Sequence, residues 1–263
     1  MTHNMPDRSF LFITGAPRSG TTFISDWITE TEDAYICHEV LPELTGLTLP
    51  QMWAYLELCA RTSDDRMKKS RQLEFLRWRE RRRTIAPRVF GLKEPVTWTT
   101  DTPPDSLEML LANASSRCVL LVRHPYDIVI SGIRRGSETR NWPGFTVEEH
   151  CRLWLQAVSF THWLQRSDVP LLVLPWEDLI LEHEAAQQSL EEFIGFQLPA
   201  FSGFERDPAQ LDAYRRTVSR KHGICDALHR AELSPRDRAT IASLVAPRAE
   251  ELGYCLGDPS EGQ

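Results

Sequence analysis

The stretch that most constrains the fold lies at residues 9–24, with the sequence SFLFITGAPRSGTTFI. Its first part, residues 10–14, is an apolar run rich in aromatic and β-branched residues, which predicts a strand. Gly15, Pro17 and Gly20 interrupt this run, and apolar residues at helical spacing follow. The pattern therefore predicts a strand, a tight loop and a helix. Such a loop presents unpaired backbone N–H groups at the positive end of the helix dipole, so it is suited to bind phosphate or sulfate.

The loop comes close to the nucleotide-binding pattern G-x-x-x-x-G-K-[ST], since Gly15 and Gly20 have the required spacing and Thr22 stands at the hydroxyl position. Thr21 replaces the lysine of that pattern, and a different cation, Arg18, lies inside the loop. Enzymes that transfer phosphoryl groups use the lysine on the β- and γ-phosphates and the hydroxyl on Mg²⁺. The loop is therefore suited to hold a phosphate but poorly equipped for metal-dependent phosphoryl transfer.

A second anion site is predicted about a hundred residues further along the chain. Residues 117–122 form an apolar run that predicts a buried strand, and Arg123 follows the run directly. Ser131 comes eight residues after Arg123, about two turns into the predicted helix, and Arg135 lies one turn beyond it on the same face. One strand end and one helix face can therefore hold a second anion.

Strand and helix patterns alternate along the chain. Besides the two strands described above, short apolar runs at residues 34–37, 88–92 and 171–174 predict strands. The alternation predicts an α/β sandwich of the P-loop type, in which helices flank a mostly parallel sheet of roughly five strands. Because no linker or repeat interrupts the pattern, residues 1–263 are predicted to form a single domain.

Polar residues follow the predicted strands at the points where they end. In a parallel sheet, ligands bind at the carboxyl ends of the strands. The predicted strand ends carry the loop at residues 15–22, His38 with Glu39, Lys93, Arg123, and Trp176 with Glu177. An anion-binding loop, cations and carboxylates are therefore expected to meet along one edge of the sheet.

The two anion motifs resemble those of the sulfotransferase family that uses 3′-phosphoadenosine-5′-phosphosulfate (PAPS). The sequence PRSGTT at residues 17–22 resembles the family's 5′-phosphosulfate loop, in the form found in bacterial and tyrosylprotein sulfotransferases. The sequence LLVRHPYDIVIS at residues 120–131 resembles the 3′-phosphate motif, and GLKEP at residues 91–95 resembles an element of the tyrosylprotein branch. The resemblance extends from residue 10 to about residue 254, and it is specific at the two phosphate motifs.

The resemblance implies a role for individual residues. Those implied to bind the 5′-phosphosulfate are Pro17, Arg18, Ser19, Gly20, Thr21 and Thr22. Those assigned to the 3′-phosphate are Arg123, Ser131 and Arg135, with Ser219, Arg220 and Lys221 in a late basic segment. Lys93 and Arg18 are expected to stabilise the charge on the leaving group. Glu39 is the first candidate for the general base, with His38 second and Glu43 third.

These features predict an enzyme that moves a sulfuryl group from PAPS to an acceptor hydroxyl by in-line displacement, without a metal ion. The product would be adenosine 3′,5′-bisphosphate (PAP). The acceptor is expected to be a small molecule or a peptide, and residues 44–88 are expected to form a helical insertion that shapes its site. Two alternatives stay open: a small-molecule kinase that uses ATP and Mg²⁺, and a non-catalytic protein that binds PAP.

Charge and composition exclude several other classes. The net charge of −7 argues against a nucleic-acid-binding protein, because no global basic field attracts a phosphate backbone. The sequence has no signal pattern and no apolar run of 18 residues, so we expect a cytoplasmic protein that does not bind a membrane. The six cysteines lack C-x-x-C spacing, which favours reduced thiols over disulfides or a zinc site. A homodimer is compatible with these features.

Overall fold

The sheet consists of five strands. The structure is a computed structural model that describes residues 9–62, 87–100, 102–112, 115–138, 144–200 and 233–256. The strands are β1 (Ser9–Gly15), β2 (Ala34–His38), β3 (Val89–Lys93), β4 (Ser116–Val122) and β5 (Leu171–Pro175). Their order is β2-β3-β1-β4-β5, and each neighbouring pair is parallel. The predicted α/β class is therefore confirmed, with a sheet that is parallel throughout.

Helices connect the strands and cover both faces of the sheet. Those in the described part of the chain are α1 (Thr21–Thr29), α2 (Leu41–Leu44), α3 (Leu49–Thr62), α4 (Asp105–Leu111), α5 (Pro125–Glu138), α6 (Val147–Arg166), α7 (Trp176–Leu181), α8 (His183–Ile194) and α9 (Pro235–Glu251). Only the ends of the predicted insertion at residues 44–88 fall within the described ranges, and α3 accounts for most of that part. The single-domain organisation and the role of this insertion stay predictions.

Side chains of β1 alternate between two hydrophobic cores. Phe10 and Phe12 pack in the larger core, with residues from α3, α4, α5, α6 and α9. Leu11 and Ile13 pack in the smaller core on the opposite face, with residues from α1 and α8. Because both faces are covered, residues 10–13 of the strand are all apolar instead of alternating with polar residues. This burial anchors β1, the central strand, and so fixes the position of the loop that follows it.

Local sequence signals explain where the longer helices begin. The Thr146 hydroxyl accepts a hydrogen bond from the Glu149 N–H at 3.2 Å, and the Glu149 carboxylate accepts one from the Thr146 N–H at 2.7 Å. This reciprocal capping box opens α6. Ser234 caps α9 in a similar way, since its hydroxyl accepts from the Asp237 N–H at 3.1 Å. Within the described ranges, none of the helices has both the length and the apolar character of a membrane span.

Candidate active site

The carboxyl ends of four neighbouring strands meet at one edge of the sheet. Lys93 at the end of β3 pairs in register with Ile13 of β1 and with His38 of β2. The backbone N–H of Glu39 donates to the Lys93 carbonyl at 2.8 Å, and Gly15 pairs with Leu121 of β4. The register therefore places the loop after β1 between the ends of β3 and β4. It brings the predicted cations and carboxylate to the same edge.

The loop after β1 needs glycine at both ends. A Cβ atom at Gly15 would lie 2.4 Å from the Leu121 carbonyl oxygen, so the backbones of β1 and β4 leave no space for a side chain there. Gly20 has a φ of +100° and opens α1. Arg18 also adopts a left-handed conformation, with a φ of 77°. The loop is thus a tight turn directly in front of a helix N-terminus, the arrangement that binds anions through backbone N–H groups.

The two predicted phosphate motifs are in direct contact. Arg18 Nε donates a hydrogen bond to the Ser131 hydroxyl at 3.1 Å, and Arg123 Nη1 donates to the Arg18 carbonyl at 3.3 Å. The Arg123 Nε atom also lies 3.7 Å from an oxygen of Asp127, which is buried. Arg135 is half-buried one turn beyond Ser131 on α5. Two segments about a hundred residues apart in sequence therefore form one cationic surface.

Trp176 links the two motifs, a contact that the sequence did not predict. Its ring lies against Gly20, where an added Cβ atom would be only 2.4 Å from the ring. Phe23 packs against the same ring edge-to-face at 5.5 Å, and the Arg123 guanidinium carbon lies 5.8 Å from the ring centroid. The indole therefore supports both the loop and the arginine. The sequence signal for this contact was Trp176 itself, which directly follows β5 and precedes Glu177. Which residues its ring contacts depends on the tertiary structure.

An ion pair between a buried lysine and an exposed carboxylate lies beside this surface. The Lys93 ammonium group donates to Oε1 of Glu39, and the Lys93 side chain is 2% exposed whereas that of Glu39 is 58% exposed. A lysine at this depth needs a partner, because an unpaired buried charge is costly. Glu39 has a φ of 54°, a left-handed conformation at the end of β2. The pair therefore presents a carboxylate towards solvent with a fixed ammonium group behind it.

His38 is engaged on the other side of β2. Its Nε2 atom lies 3.0 Å from the Ser25 hydroxyl and 3.4 Å from an Asp26 carboxylate oxygen, both on α1. Burial lowers the pKa of His38 to about 3, and the Lys93 ammonium group acts in the same direction. The ring is consequently neutral at ordinary pH and holds β2 against α1.

Glu94 is a further carboxyl group at this edge. Its pKa is raised to about 7, mainly by burial and to a smaller extent by the neighbouring Glu39 and Glu43 carboxylates, whereas the Leu41 N–H and Lys93 act in the opposite direction. Its carboxylate accepts a hydrogen bond from the Leu41 N–H at 3.4 Å. Sequence reasoning singled out Lys93 in the GLKEP element but not this neighbour, because its burial is not visible in the sequence.

The residues at this edge fit a donor with an anionic group at each end. The loop supplies backbone N–H groups, and the buried Ser19 hydroxyl has no hydrogen-bond partner among the described residues. Arg18, Ser131 and Arg123 supply donors at the adjoining surface. The late basic residues Ser219, Arg220 and Lys221 lie outside the described residues. The described side chains therefore bring hydrogen-bond donors of both predicted motifs to one surface.

Comparison with known families identifies the class of protein. The model of the sulfotransferase family matches residues 11–200, which is most of the chain, so the chain belongs to this family. The predicted family and the predicted class of enzyme, a PAPS-dependent sulfotransferase, are confirmed. Membership implies PAPS as co-substrate and a separate acceptor substrate. A comparison with curated protein sequences finds no significant match.

Several solved structures are similar to this chain. The sulfotransferase domain of the olefin synthase from Synechococcus PCC 7002 shows 16% identity and a TM-score of 0.49, covering 94% of this chain and 98% of that one. The sulfotransferase domain from the curacin biosynthetic pathway shows 20% identity and a TM-score of 0.47, covering 86% and 83%. Sulfotransferase STF9 from Mycobacterium avium shows 14% identity and a TM-score of 0.45, covering 97% and 79%.

Proposed function

We propose that this chain transfers the sulfuryl group of PAPS to a hydroxyl group of a small-molecule or peptide acceptor. The observation that carries the proposal is the contact between the two phosphate motifs, in which Arg18 bonds to Ser131 and Arg123 bonds to the Arg18 carbonyl. A surface that carries cations from both motifs suits a nucleotide that is phosphorylated at its 3′ and 5′ positions. The Lys93–Glu39 pair at the same edge supplies the groups that sulfuryl transfer requires.

Donor binding divides between the two motifs. The loop N–H groups and the side chains of Arg18, Thr21 and Thr22 would hold the 5′-phosphosulfate, at the positive end of the α1 dipole. Arg123, Ser131 and Arg135 would hold the 3′-phosphate. Since Arg18 contacts Ser131, the two binding regions adjoin each other. Holding both ends fixes the donor so that the acceptor oxygen can approach in line with the breaking bond.

Lys93 would stabilise the leaving group. When the sulfuryl group moves, the bond between sulfur and the bridging oxygen breaks, and its electron pair stays on the phosphate of PAP. Because Lys93 is buried and held by Glu39, its ammonium group is already oriented and has little water to displace. A preorganised donor of this kind contributes about 10²–10³-fold to turnover.

Glu39 would accept the proton of the acceptor hydroxyl. Its carboxylate faces solvent on one side and Lys93 on the other, so an acceptor can approach it without displacing other protein groups. The acceptor oxygen then forms the new bond to sulfur as its proton moves to the carboxylate. His38 is a weaker candidate for the base, because Ser25 and Asp26 occupy its Nε2 atom.

The proposal is tested by supplying radiolabelled PAPS to the purified chain, with EDTA present. The acceptor panel contains p-nitrophenol, primary alcohols and peptides that contain tyrosine or serine. We expect label on at least one acceptor class, and we expect Glu39→Gln to lower turnover about 10²–10⁴-fold while PAP affinity stays near the wild-type value. The matched control is Glu32→Gln, because Glu32 is exposed and precedes β2 at the opposite edge of the sheet.

Two outcomes distinguish the alternatives. Transfer of phosphate from ATP with Mg²⁺, without any transfer from PAPS, would identify a kinase and overturn the proposal. Tight binding of PAP with no turnover on the whole panel, in the wild type and in Glu39→Gln alike, would identify a non-catalytic PAP-binding protein. We also propose that the chain is cytoplasmic and that it belongs to the bacterial or tyrosylprotein branch of the family.

A further inference from the structure

The peptide group between Arg123 and His124 is held on both of its polar atoms by buried side chains. The Arg123 carbonyl accepts a hydrogen bond from the Trp154 indole N–H at 2.9 Å. The His124 N–H donates to Oε1 of Glu177 at 2.9 Å. Trp154 is 2% exposed and Glu177 is fully buried. Because a peptide group is planar and rigid, fixing both atoms fixes the plane that contains the Arg123 Cα atom. Strand β4, which ends at Val122, fixes the chain on the other side of Arg123, so the two together determine where its side chain starts.

Glu177 also ties this peptide to the C-terminal segment, residues 254–256. Its Oε2 atom accepts a hydrogen bond from the Tyr254 hydroxyl at 2.9 Å. His124 Nε2 lies 3.3 Å from the Cys255 carbonyl and its Nδ1 atom accepts from the Tyr126 N–H at 3.3 Å, so the tautomer with hydrogen on Nε2 satisfies both contacts. The Tyr126 hydroxyl donates to the Leu256 carbonyl at 3.0 Å.

These contacts hold the backbone beside Arg123 with buried side chains, whereas the Arg123 guanidinium group bonds to the Arg18 carbonyl. We propose that Glu177 is a positioning residue, which together with Trp154 orients Arg123 towards the 3′-phosphate of the donor. The inference rests on the proposed function, since it assigns the 3′-phosphate to Arg123. It adds a role for a carboxylate that cannot itself touch the donor, because it is enclosed by His124, Tyr254 and the start of α7.

The test compares two ligands that differ only in the 3′-phosphate: PAP and adenosine 5′-phosphate. The dissociation constant of adenosine 5′-phosphate divided by that of PAP, both measured by titration calorimetry, reports the contribution of the 3′-phosphate to binding. We expect Glu177→Gln to reduce this ratio about tenfold, because the bond from the His124 N–H loses its charge, while the affinity for adenosine 5′-phosphate is unchanged. The control is Glu182→Gln, because Glu182 is exposed at the end of α7.

A second variant covers the case in which Glu177→Gln does not fold. Trp154→Phe keeps an aromatic ring and removes only the N–H that bonds to the Arg123 carbonyl, so it should also lower the ratio selectively. An equal loss for both ligands would show a purely structural role and overturn the inference, as would an unchanged ratio in both variants. If the wild type does not prefer PAP over adenosine 5′-phosphate, the proposed function itself fails.

A pH series provides an independent readout. Burial raises the pKa of Glu177 to about 7, and Asp127 acts in the same direction, whereas the His124 N–H and the Tyr254 hydroxyl act against it. Glu177 therefore loses its charge as the pH falls through about 7, and the ratio should fall with it in the wild type. The 3′-phosphate itself titrates at pH about 6 in all variants, so the contribution of Glu177 is the difference between wild type and Glu177→Gln. Parallel curves for the two proteins would contradict the inference.

Discussion

Replacing Gly20 by alanine tests whether the loop and Trp176 form one packed unit. The φ of Gly20 is +100°, and a left-handed conformation costs an L-residue about 1–2 kcal/mol. The new Cβ atom would also lie 2.4 Å from the Trp176 ring, and relieving such an overlap costs about 1–3 kcal/mol. We therefore expect Gly20→Ala to lower the free energy of unfolding by about 2–5 kcal/mol.

Gly46→Ala is the matched control. Gly46 has a φ of +79°, but nothing lies within 4 Å of an added Cβ atom. Gly46→Ala should therefore lower the free energy of unfolding only by the cost of the left-handed backbone conformation, about 1–2 kcal/mol. Urea denaturation of both variants gives the two losses, and their difference isolates the contact with the tryptophan. Gly20→Ala should also weaken PAP binding, because a displaced indole no longer supports Arg123.

A double-mutant cycle checks whether the extra loss of stability in Gly20→Ala comes from the contact with the Trp176 ring. In a Trp176→Leu background the ring that meets the new methyl group is absent, so Gly20→Ala should cost no more than Gly46→Ala does. Equal losses for the two glycine variants in the wild-type background would refute the packing argument. An undiminished loss for Gly20→Ala in the Trp176→Leu background would refute it as well, because the strain would then come from the backbone alone.

Two further predictions concern the edge of the sheet at β2 and β3. Lys93→Met should lower turnover with PAPS about 10²–10³-fold in steady-state kinetics, because the leaving group loses its buried ammonium group, and a smaller loss would exclude Lys93 from that role. The lowered pKa of His38 means that the unfolded chain binds a proton below pH 6.5 that the folded chain does not bind until about pH 3. The free energy of unfolding should therefore fall as the pH is lowered from 6.5, by up to about 1.4 kcal/mol per pH unit from this group. Denaturation of His38→Gln should show a shallower decrease over that range, and an equal slope would contradict the prediction.

The positions of the five strands along the chain could be predicted because their signals are local. Each strand is a short apolar run that ends at a glycine, a proline or a charged residue, and each lies between helical patterns. The loop at residues 15–22 was recognisable for the same reason, since glycine spacing reflects a backbone requirement. At Gly15 that requirement is the approach of the Leu121 carbonyl, which leaves no space for a side chain.

The contacts within the site could not be predicted, because they join residues that are distant in sequence. The sequence indicated that Arg18 and Arg123 share an edge of the sheet, but not that one arginine bonds to the carbonyl of the other. It also did not distinguish Glu39 from His38. That distinction depends on which side of β2 each side chain faces, and α1 supplies Ser25 as the partner of His38.

The depth of Lys93 shows how the fold determines the chemistry of the site. A lysine at a strand end usually extends its ammonium group to solvent, but here β1 and β2 flank β3 and the side chain is 2% exposed. The ammonium group then depends on Glu39 for its partner, and the same contact holds the carboxylate at the carboxyl edge of the sheet. In the proposed mechanism Glu39 would take up a proton from the acceptor, and its attraction for Lys93 would then weaken as negative charge grows on the leaving group. Under that proposal, the contact between the buried lysine and the exposed carboxylate would couple proton uptake by Glu39 to stabilisation of PAP by Lys93, which a solvent-exposed lysine could not do.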